Sequence, residues 1–249
     1  MNQVEKVAPY GVDKSKKNEV YKMFNQIAPT YDFLNHALSL GIDRRWRKQL
    51  VKNVRHSHPK KILDIATGTG DLAFMLQSIH PDEITGLDLS DNMIEHAKKK
   101  KKSKVKDDVD IKFVVGDSEN LQFESESFDL VTCAFGVRNF ENIDKGIEEM
   151  YRVLKPGGSI AILEFCESKN KLFRGIFDFY FKNILPFLGK IISKDSHAYY
   201  YLPKSVEYFP KGEKFAVILQ KMGFEKIKIK TLTNGVVCLY LAQKPKTTK

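Results

Sequence analysis

Hydrophobic and polar positions follow two periods along the chain, and the clearest change of period falls at 61–79. Residues 61–65 (KILDI) form an apolar run short enough for a buried strand, and beyond the turn 66–70 (ATGTG) apolar side chains return at helical spacing. Gly68 and Gly70 permit a tight left-handed turn and let a ligand approach the main chain. The pattern predicts a strand, a turn and a helix over 71–79, with a nucleotide-like ligand at the turn.

The same alternation of strand and helix patterns continues to residue 165. It predicts an α/β fold with a doubly wound, mostly parallel sheet, because strands separated by helices pair in parallel through right-handed crossovers. Ser90 is the predicted N-cap of a helix, and a turn is predicted at 155–158. The further predicted strands are 83–88, 111–115, 128–134, 159–165, 224–230 and 236–242, with a helix at 144–154.

The sequence pattern before the sheet predicts a helical cap. Residues 1–18 are polar and lysine-rich, which predicts a flexible basic tail. A helix follows through Ala28 and is predicted to end at Pro29, and a second short helix contains Tyr31. Gly41 separates it from an amphipathic helix around Trp46. Such a cap over the carboxyl ends of parallel strands closes a ligand crevice and places the substrate side here.

Length and composition indicate one domain. With 249 residues and 42% hydrophobic content, the chain can bury one sizeable core. The predicted division is a cap at 19–58, a cofactor-binding core at 59–168, a substrate-side cover at 169–210 and a C-terminal helix and strands at 211–249. Within the cover, the aromatic stretch 171–188 suits a packed helix, a wall of a groove for an apolar ligand tail or a membrane-touching surface.

Cysteine count and hydropathy indicate the cellular compartment of the protein. Three widely spaced cysteines favour neither a disulfide framework nor a zinc site. No signal-peptide core and no run of 18 uncharged apolar residues is present. The sequence predicts a cytoplasmic protein without a metal, with membrane association left open.

The net charge of +10 is clustered. The run 98–102 (KKKKK) suits a solvated loop or an anionic membrane surface. Arg44, Arg45, Arg47 and Lys48 flank Trp46, which suits a lipid headgroup interface better than base readout. No nucleic-acid motif with interleaved aromatic residues is visible, so nucleic acid is not an expected partner.

Three acids at strand ends decide between nucleotide ligands. The spacing of Gly68, Gly70 and Ala73, with Asp88 about 20 residues beyond, also fits a loose dinucleotide fingerprint. A dinucleotide fold needs neither Asp64 at the end of the first strand nor Asp117 after the third. Three carboxylates around one glycine turn suit a cationic ligand with an amine, a ribose diol and an adenine, and S-adenosylmethionine is such a ligand.

Four further stretches carry a resemblance to the quinone C-methyltransferases, a family of class I methyltransferases, over residues 21–244. They are 31–36 (YDFLNH) with 39–46 (SLGIDRRW), 134–139 (AFGVRN), 151–158 (YRVLKPGG) with 163–165 (LEF), and 199–206 (YYYLPKSV). The resemblance implies a Rossmann-like sheet of seven strands with the last antiparallel. Cys166 departs from the usual serine of the family, which changes little because a buried cysteine is nearly isosteric with serine.

The predicted site residues lie at the carboxyl ends of the strands. The predicted cofactor contacts are Asp64, Gly68, Thr69, Gly70, Asp88, Met93, Asp117, Ser118 and Ala134. Catalytic candidates are Arg138, Asn139, Tyr31 and His197. Arg138 suits a phenolate stabiliser or a buried salt bridge to the cap or to Glu164. Tyr31 could instead be an aromatic core residue, and His197 could be structural.

The expected activity is C-methylation of the ring of a polyprenylated quinol, demethylmenaquinol before the ubiquinone precursor 2-polyprenyl-6-methoxy-benzoquinol. A NAD-type dehydrogenase and a non-catalytic protein with the same fold remain alternatives. A ring carbon becomes nucleophilic when the neighbouring hydroxyl loses its proton, so a base or a phenolate stabiliser is required. Peripheral contact with an anionic membrane and a homodimer stay open.

Overall fold

The computed structural model of the protein describes residues 2–11, 15–39, 41–104, 109–168, 170, 175 and 197–246, without the side chains of 33–38 and 197–199. The aromatic stretch 171–188 lies outside the described residues except for Gly175, so its role as a cover remains a prediction.

One seven-stranded sheet organises the described residues, in the order β3-β2-β1-β4-β5-β7-β6. The strands are β1 Lys61–Ile65, β2 Glu83–Asp88, β3 Asp110–Val115, β4 Phe128–Ala134, β5 Leu154–Phe165, β6 Glu225–Leu232 and β7 Val237–Gln243. β1 to β5 pair in parallel, and β7 pairs antiparallel with both β5 and β6. The predicted doubly wound fold is confirmed, and its strand order reverses between β1 and β4, where such sheets bind ligands.

The helices are α1 Lys16–Leu38, α2 Ile42–Val54, α3 Asp71–Leu76, α4 Asp91–Lys104, α5 Ile143–Val153, α6 His197–Tyr208 and α7 Glu213–Lys221. Short 3-10 turns lie at Gln3–Lys6, Arg55–Ser57, Gln77–Ile79, Val137–Asn139 and Thr233–Gly235. Ser90 accepts a hydrogen bond from the Met93 backbone at 3.1 Å, which confirms it as the N-cap of α4. Within the described ranges, no helix combines the length and hydrophobicity that a membrane crossing requires.

Hydrophobic packing covers both faces of the sheet. On one face, α5 and α7 bury Met150, Phe215 and Tyr240. On the other face, α2, α3 and α4 bury Leu50 and Leu76 among their apolar side chains. The sheet is therefore a layer between two apolar faces, and its carboxyl edge is the place where polar side chains collect.

The prediction that Pro29 ends a helix is wrong, because α1 continues through it to Leu38. Proline inside a helix removes a hydrogen bond and costs about 3 kcal/mol. Contacts on both sides of it compensate: Asn25 accepts from the Ser90 hydroxyl, and Asp32 accepts from the Thr69 hydroxyl. Tertiary contacts therefore override the local signal.

The predicted flexible tail is also wrong for most of its length. Val4 is fully buried in the 3-10 turn Gln3–Lys6, and α1 begins at Lys16. Glu5 accepts from the backbone of Ile143 at 3.0 Å. The Lys16 ammonium donates to the carbonyl oxygens of Val4 and Arg138, each at 2.9 Å. Polar composition indicated a solvated segment, whereas these polar groups are used in long-range contacts.

The turn predicted at 155–158 is part of β5. The strand runs from Leu154 to Phe165, and its pairing with β4 shifts register between Leu154 and Ser159. Gly157 adopts a left-handed φ of +80° in this irregular segment. The glycine and proline signal therefore marks a bulge inside a strand rather than a strand boundary.

Candidate active site

A pocket lies at the carboxyl edge of the sheet, between α1 and the loops that follow β1 to β4. It holds about 660 Å³ of space that no protein atom occupies, part of it open to solvent. The structure brings together most of the predicted site residues. Those in the lining are Tyr31, Gly68, Asp88, Met93, Asp117, Ser118, Ala134 and Asn139.

Asp64 lies beneath the pocket rather than in its lining, and its predicted contact with the ligand stays a prediction. It is 1% exposed and accepts hydrogen bonds from the hydroxyls of Thr67 at 2.6 Å and Thr132 at 2.7 Å. Burial raises the pKa of Asp64 to about 6, and the two hydroxyl donors oppose that rise. Asp64 thus ties the glycine turn to β4.

Asp88 is the carboxylate that faces the pocket at the end of β2. Its two oxygens accept from the backbone N–H of Gly68 at 2.8 Å and of Ser90 at 2.9 Å. Gly68 adopts a left-handed φ of +57°, which directs its N–H towards Asp88. Burial raises the pKa of Asp88 to about 6 against these donors. The residue is therefore an oriented acceptor for a ligand that carries hydroxyl donors.

Asp117 lines the next part of the pocket and is paired with a residue that sequence reasoning missed. The Lys17 ammonium lies 2.7 Å from Asp117 and 3.4 Å from Glu119. The Glu119 backbone also donates to Asp117 at 2.9 Å, which fixes the carboxylate beside Ser118. Lys17 was assigned to a flexible tail, and nothing in its neighbourhood along the chain signals a partner 100 residues away.

Three polar pairs connect α1 to consecutive strand ends. They are Lys17 with Asp117 after β3, Asn25 with Ser90 after β2, and Asp32 with Thr69 after β1. The α1 residues are spaced by eight and seven, so they lie on one face of the helix. We call residues 16–32 the strap, because they cross the pocket edge from β3 to β1.

Thr69 and Gly70 support the glycine turn and do not line the pocket. The Thr69 hydroxyl donates to Asp32 and accepts from the Lys100 ammonium at 2.9 Å. Gly70 is the left-handed N-cap of α3, with φ of +88°, and an added Cβ would lie 2.8 Å from the ring of Phe113. Both residues therefore act on the conformation of the turn, and their predicted contacts with the cofactor stay predictions.

Arg138 forms the buried salt bridge that the sequence left open as its alternative role. Its guanidinium lies 3.1 Å from the carboxylate of Glu164, which is fully buried, and 5.4 Å above the ring centre of Phe165. The side chain is 7% exposed and is not part of the pocket lining. No described residue is a hydrogen-bond partner of its buried Nε. The guanidinium is directed at Glu164, and its predicted contact with a substrate oxygen stays a prediction.

Asn139 and Tyr31 add an amide and a phenol to the lining of the pocket. Tyr201 of α6 donates to the Asn139 amide oxygen at 3.1 Å, and the Asn139 amide nitrogen donates to the Phe135 carbonyl at 3.4 Å. Burial raises the pKa of Tyr201, which keeps its hydroxyl protonated and donating. Tyr31 lies 3.6 Å from the position of an added Cβ on Gly68. These residues place fixed donors and acceptors over the glycine turn.

His197 is the first residue of α6, the helix that carries Tyr201, but its side chain lies outside the described part of the structure. Its role as a base is an untested prediction. Among the described residues, no group of histidine, cysteine, aspartate or glutamate side chains is arranged to hold a metal.

Trp46 is buried against the sheet and is 8% exposed. Its indole nitrogen donates to Thr233 at 2.8 Å, and its ring packs against Phe135 and Phe165. Arg47 is buried as well and pairs with Asp43 at 2.6 Å. The exposed cations of α2 therefore stand without the aromatic anchor that the lipid-interface interpretation assumed.

Comparisons with known proteins find relatives that match most of the chain. The model of the ubiE/COQ5 methyltransferase family matches residues 12–244. Demethylmenaquinone methyltransferase of Bacteroides fragilis is 42% identical over 96% of this chain and 98% of that protein. Its counterpart in Chlorobaculum tepidum is 41% identical over 98% and 100%. The ubiquinone/menaquinone biosynthesis C-methyltransferase UbiE of Geotalea daltonii is 42% identical over 92% and 97%.

Solved structures share the fold at low identity. A possible histamine N-methyltransferase of Thermotoga maritima, a SAM-dependent methyltransferase, superposes with a TM-score of 0.62 at 19% identity, covering 90% of this chain and 99% of that chain. The [4+2]-cyclase SpnF gives 0.67 at 15% identity, covering 92% and 96%. A cyclase and a methyltransferase on one fold show that the fold alone does not identify the reaction.

Proposed function

The chain belongs to the ubiE/COQ5 methyltransferase family, and we propose that its methyl acceptor is the ring of a polyprenylated demethylmenaquinol. The protein is an S-adenosylmethionine-dependent methyltransferase of quinone biosynthesis. The names of the Bacteroides and Chlorobaculum relatives, which match along nearly their whole length, support the naphthoquinol ring. The name of the Geotalea relative includes ubiquinone biosynthesis as well. The benzoquinol precursor of ubiquinone is therefore the second candidate for the methyl acceptor.

The observation that carries the proposal is that one pocket lining combines two kinds of polar group. The first kind is the carboxylates of Asp88 and Asp117, and the second is the amide of Asn139 and the phenol of Tyr31. Leu89 and Phe140 add apolar surface. A donor-rich nucleoside suits the carboxylates, and an aromatic ring with oxygen substituents suits the amide and the phenol.

The residues present fit S-adenosylmethionine. Asp88 would hold the ribose hydroxyls, because its oxygens are already aligned by two backbone donors and a carboxylate can accept further hydrogen bonds. Asp117 and Ser118 would contact the adenine, with Met93 beside them. When bound, the cofactor supplies an activated methyl group, and the protein supplies orientation and charge placement.

On the acceptor side, Asn139 would position a ring oxygen. An amide carries two N–H donors, and the Tyr201 hydroxyl fixes which end of the Asn139 amide donates. Tyr31 would contact the ring from the strap. Arg138, held by Glu164, would support the turn that carries Asn139, and His197 is the candidate acceptor for the hydroxyl proton.

Peripheral contact with an anionic membrane would bring such a lipid-soluble substrate within reach. The exposed cations Arg44, Arg45 and Lys48 of α2 support it through their charge, since each is worth about 1 kcal/mol near an anionic surface. Co-sedimentation with phosphatidylglycerol vesicles at low and high salt tests this contact. Binding that depends on neither lipid charge nor salt would contradict it.

The ring is tested with purified protein, methyl-labelled S-adenosylmethionine and two short-chain acceptors. We expect the label on the ring carbon of demethylmenaquinol, with slower labelling of 2-prenyl-6-methoxy-benzoquinol. Equal or faster labelling of the benzoquinol would reverse the assignment of the ring. If neither acceptor is labelled, the quinol proposal is rejected. A thermal shift with S-adenosylmethionine alone then reports whether the pocket still binds the cofactor.

A further inference from the structure

Lys100 differs from the exposed lysines of the run on α4. Its ammonium donates to Asp32 at 2.8 Å, to the Thr69 hydroxyl at 2.9 Å and to Asp71 at 2.8 Å. An ammonium has three N–H donors, so each one has an oxygen partner here. The three partners belong to the strap, to the glycine turn and to the first turn of α3.

Its neighbour Lys99 shows the contrast. The Lys99 side chain is 72% exposed and lies 3.8 Å from Glu95, the separation of a weak surface pair. The Lys100 side chain is 24% exposed. The interpretation of the run as a solvated loop therefore fails at Lys100, whose charge is directed into the protein, and also at Lys101, whose ammonium donates to the Ile111 carbonyl.

The position of Lys100 explains how the carboxylates of Asp32 and Asp71 can lie close to each other beside the glycine turn. Asp32 accepts from the Thr69 hydroxyl, and Asp71 lies two residues beyond Thr69 in the first turn of α3. Without the ammonium, the negative charges of Asp32 and Asp71 would repel each other across the glycine turn. The strap would lose its attachment at the end that carries Tyr31, the residue before Asp32 and part of the pocket lining.

We propose that Lys100 is a positioning residue for methyl transfer, which clamps Asp32 of the strap to Thr69 and Asp71 and thereby holds Tyr31 over the glycine turn. It acts through Tyr31 and the turn and does not touch the reacting atoms. For the acceptor this inference rests on the proposed function, whereas for the cofactor it rests on the site geometry alone.

The experiment compares Lys100→Met with Lys99→Met, a matched loss of charge one residue away. We expect Lys100→Met to weaken S-adenosylmethionine binding in calorimetry about tenfold, and to lower turnover at saturating cofactor about tenfold as well. Its melting temperature should fall by no more than about 5 °C. Lys99→Met should keep both values within about twofold of the parent.

A second substitution distinguishes clamping from general loss of structure. Adding Asp32→Asn to Lys100→Met removes one of the repelling charges, so cofactor affinity should recover part of the loss instead of falling further. Cofactor binding and turnover of Lys100→Met equal to those of Lys99→Met would overturn the proposal, as would additive losses in the double variant. Because calorimetry needs no quinol, a failure of the acceptor assignment would leave this result readable.

Discussion

The glycine turn after β1 and the strap of α1 enclose the same pocket but are built from different kinds of contact. At the turn, Asp64 bonds Thr67 three residues away, and Gly68 bonds Asp88 20 residues away. In the strap, the partners of Lys17 and Asn25 are 100 and 65 residues away. A local motif therefore builds one wall, and the other wall depends on a sheet that must already be in place.

Arg138 gives the largest expected effect, because its guanidinium pairs with the buried Glu164 and its carbonyl accepts from Lys16 at the start of the strap. Arg138→Met leaves the fully buried Glu164 without its charge partner. Removal of one partner from a buried pair costs about 3–5 kcal/mol, so we expect a fall of that size in the free energy of unfolding, measured with denaturant. Arg45→Met on the surface of α2 is the control and should change little.

The double variant Arg138→Met with Glu164→Gln distinguishes a structural role of Arg138 from a role in the reaction. It removes both charges, so the free energy of unfolding should return most of the way to the parent value. If turnover returns with stability, Arg138 is a structural residue. A stable double variant with turnover still at least a hundredfold down would instead place the guanidinium in the reaction, as expected of a lost charge stabiliser worth about 2.7–4 kcal/mol.

Asp88→Asn tests the wall built by the local motif. Charge-assisted hydrogen bonds contribute about 1.5–3 kcal/mol, so S-adenosylmethionine should bind at least about tenfold more weakly in calorimetry. Asp82→Asn is the matched control, since Asp82 lies before the opposite end of β2 with its side chain 66% exposed. Unchanged affinity in a folded Asp88→Asn protein would remove the carboxylate from the cofactor site.

Val4→Ala tests whether the N-terminal segment belongs to the folded structure. Val4 is fully buried, and loss of two methyl groups at about 0.8 kcal/mol each predicts about 1.6 kcal/mol of lost stability. Val217→Ala, at a side chain that is 46% exposed, should cost much less. Equal effects of the two substitutions in thermal unfolding would restore the flexible tail that composition predicts.

The pH dependence of binding gives the smallest effect. Burial raises the pKa of Asp88 to about 6, and hydroxyl donors favour the ionised carboxylate, so cofactor affinity should fall about tenfold from pH 7 to pH 5. The stability of the free protein moves in the opposite direction. A carboxyl whose pKa is raised on folding stabilises most when protonated, and that stability is lost as pH rises towards about 6. Asp88→Asn should remove the pH dependence of affinity. If titration of Asp64 caused that dependence, it would persist in the Asp88→Asn protein.

Sequence reasoning succeeded where a signal is local. The strands, the turn at Gly68 and the acids at Asp88 and Asp117 follow from period, glycine placement and strand ends. It failed where a tertiary contact overrides a local preference, as at Pro29, or where a charged residue has a distant partner. Lys17 and Lys100 read as solvated lysines because the sequence does not show which of many cations will meet a carboxylate after folding.

The contacts of the N-terminal segment also set an order in which the molecule can be completed. Glu5 bonds Ile143, 138 residues later, and Lys16 bonds the carbonyl of Arg138, 122 residues later. The N-terminal segment therefore cannot take its final position before β4 and the start of α5 are in place, since such distant contacts form only after the intervening chain is ordered. Because the strap begins at Lys16, completion of the pocket is a late step of folding.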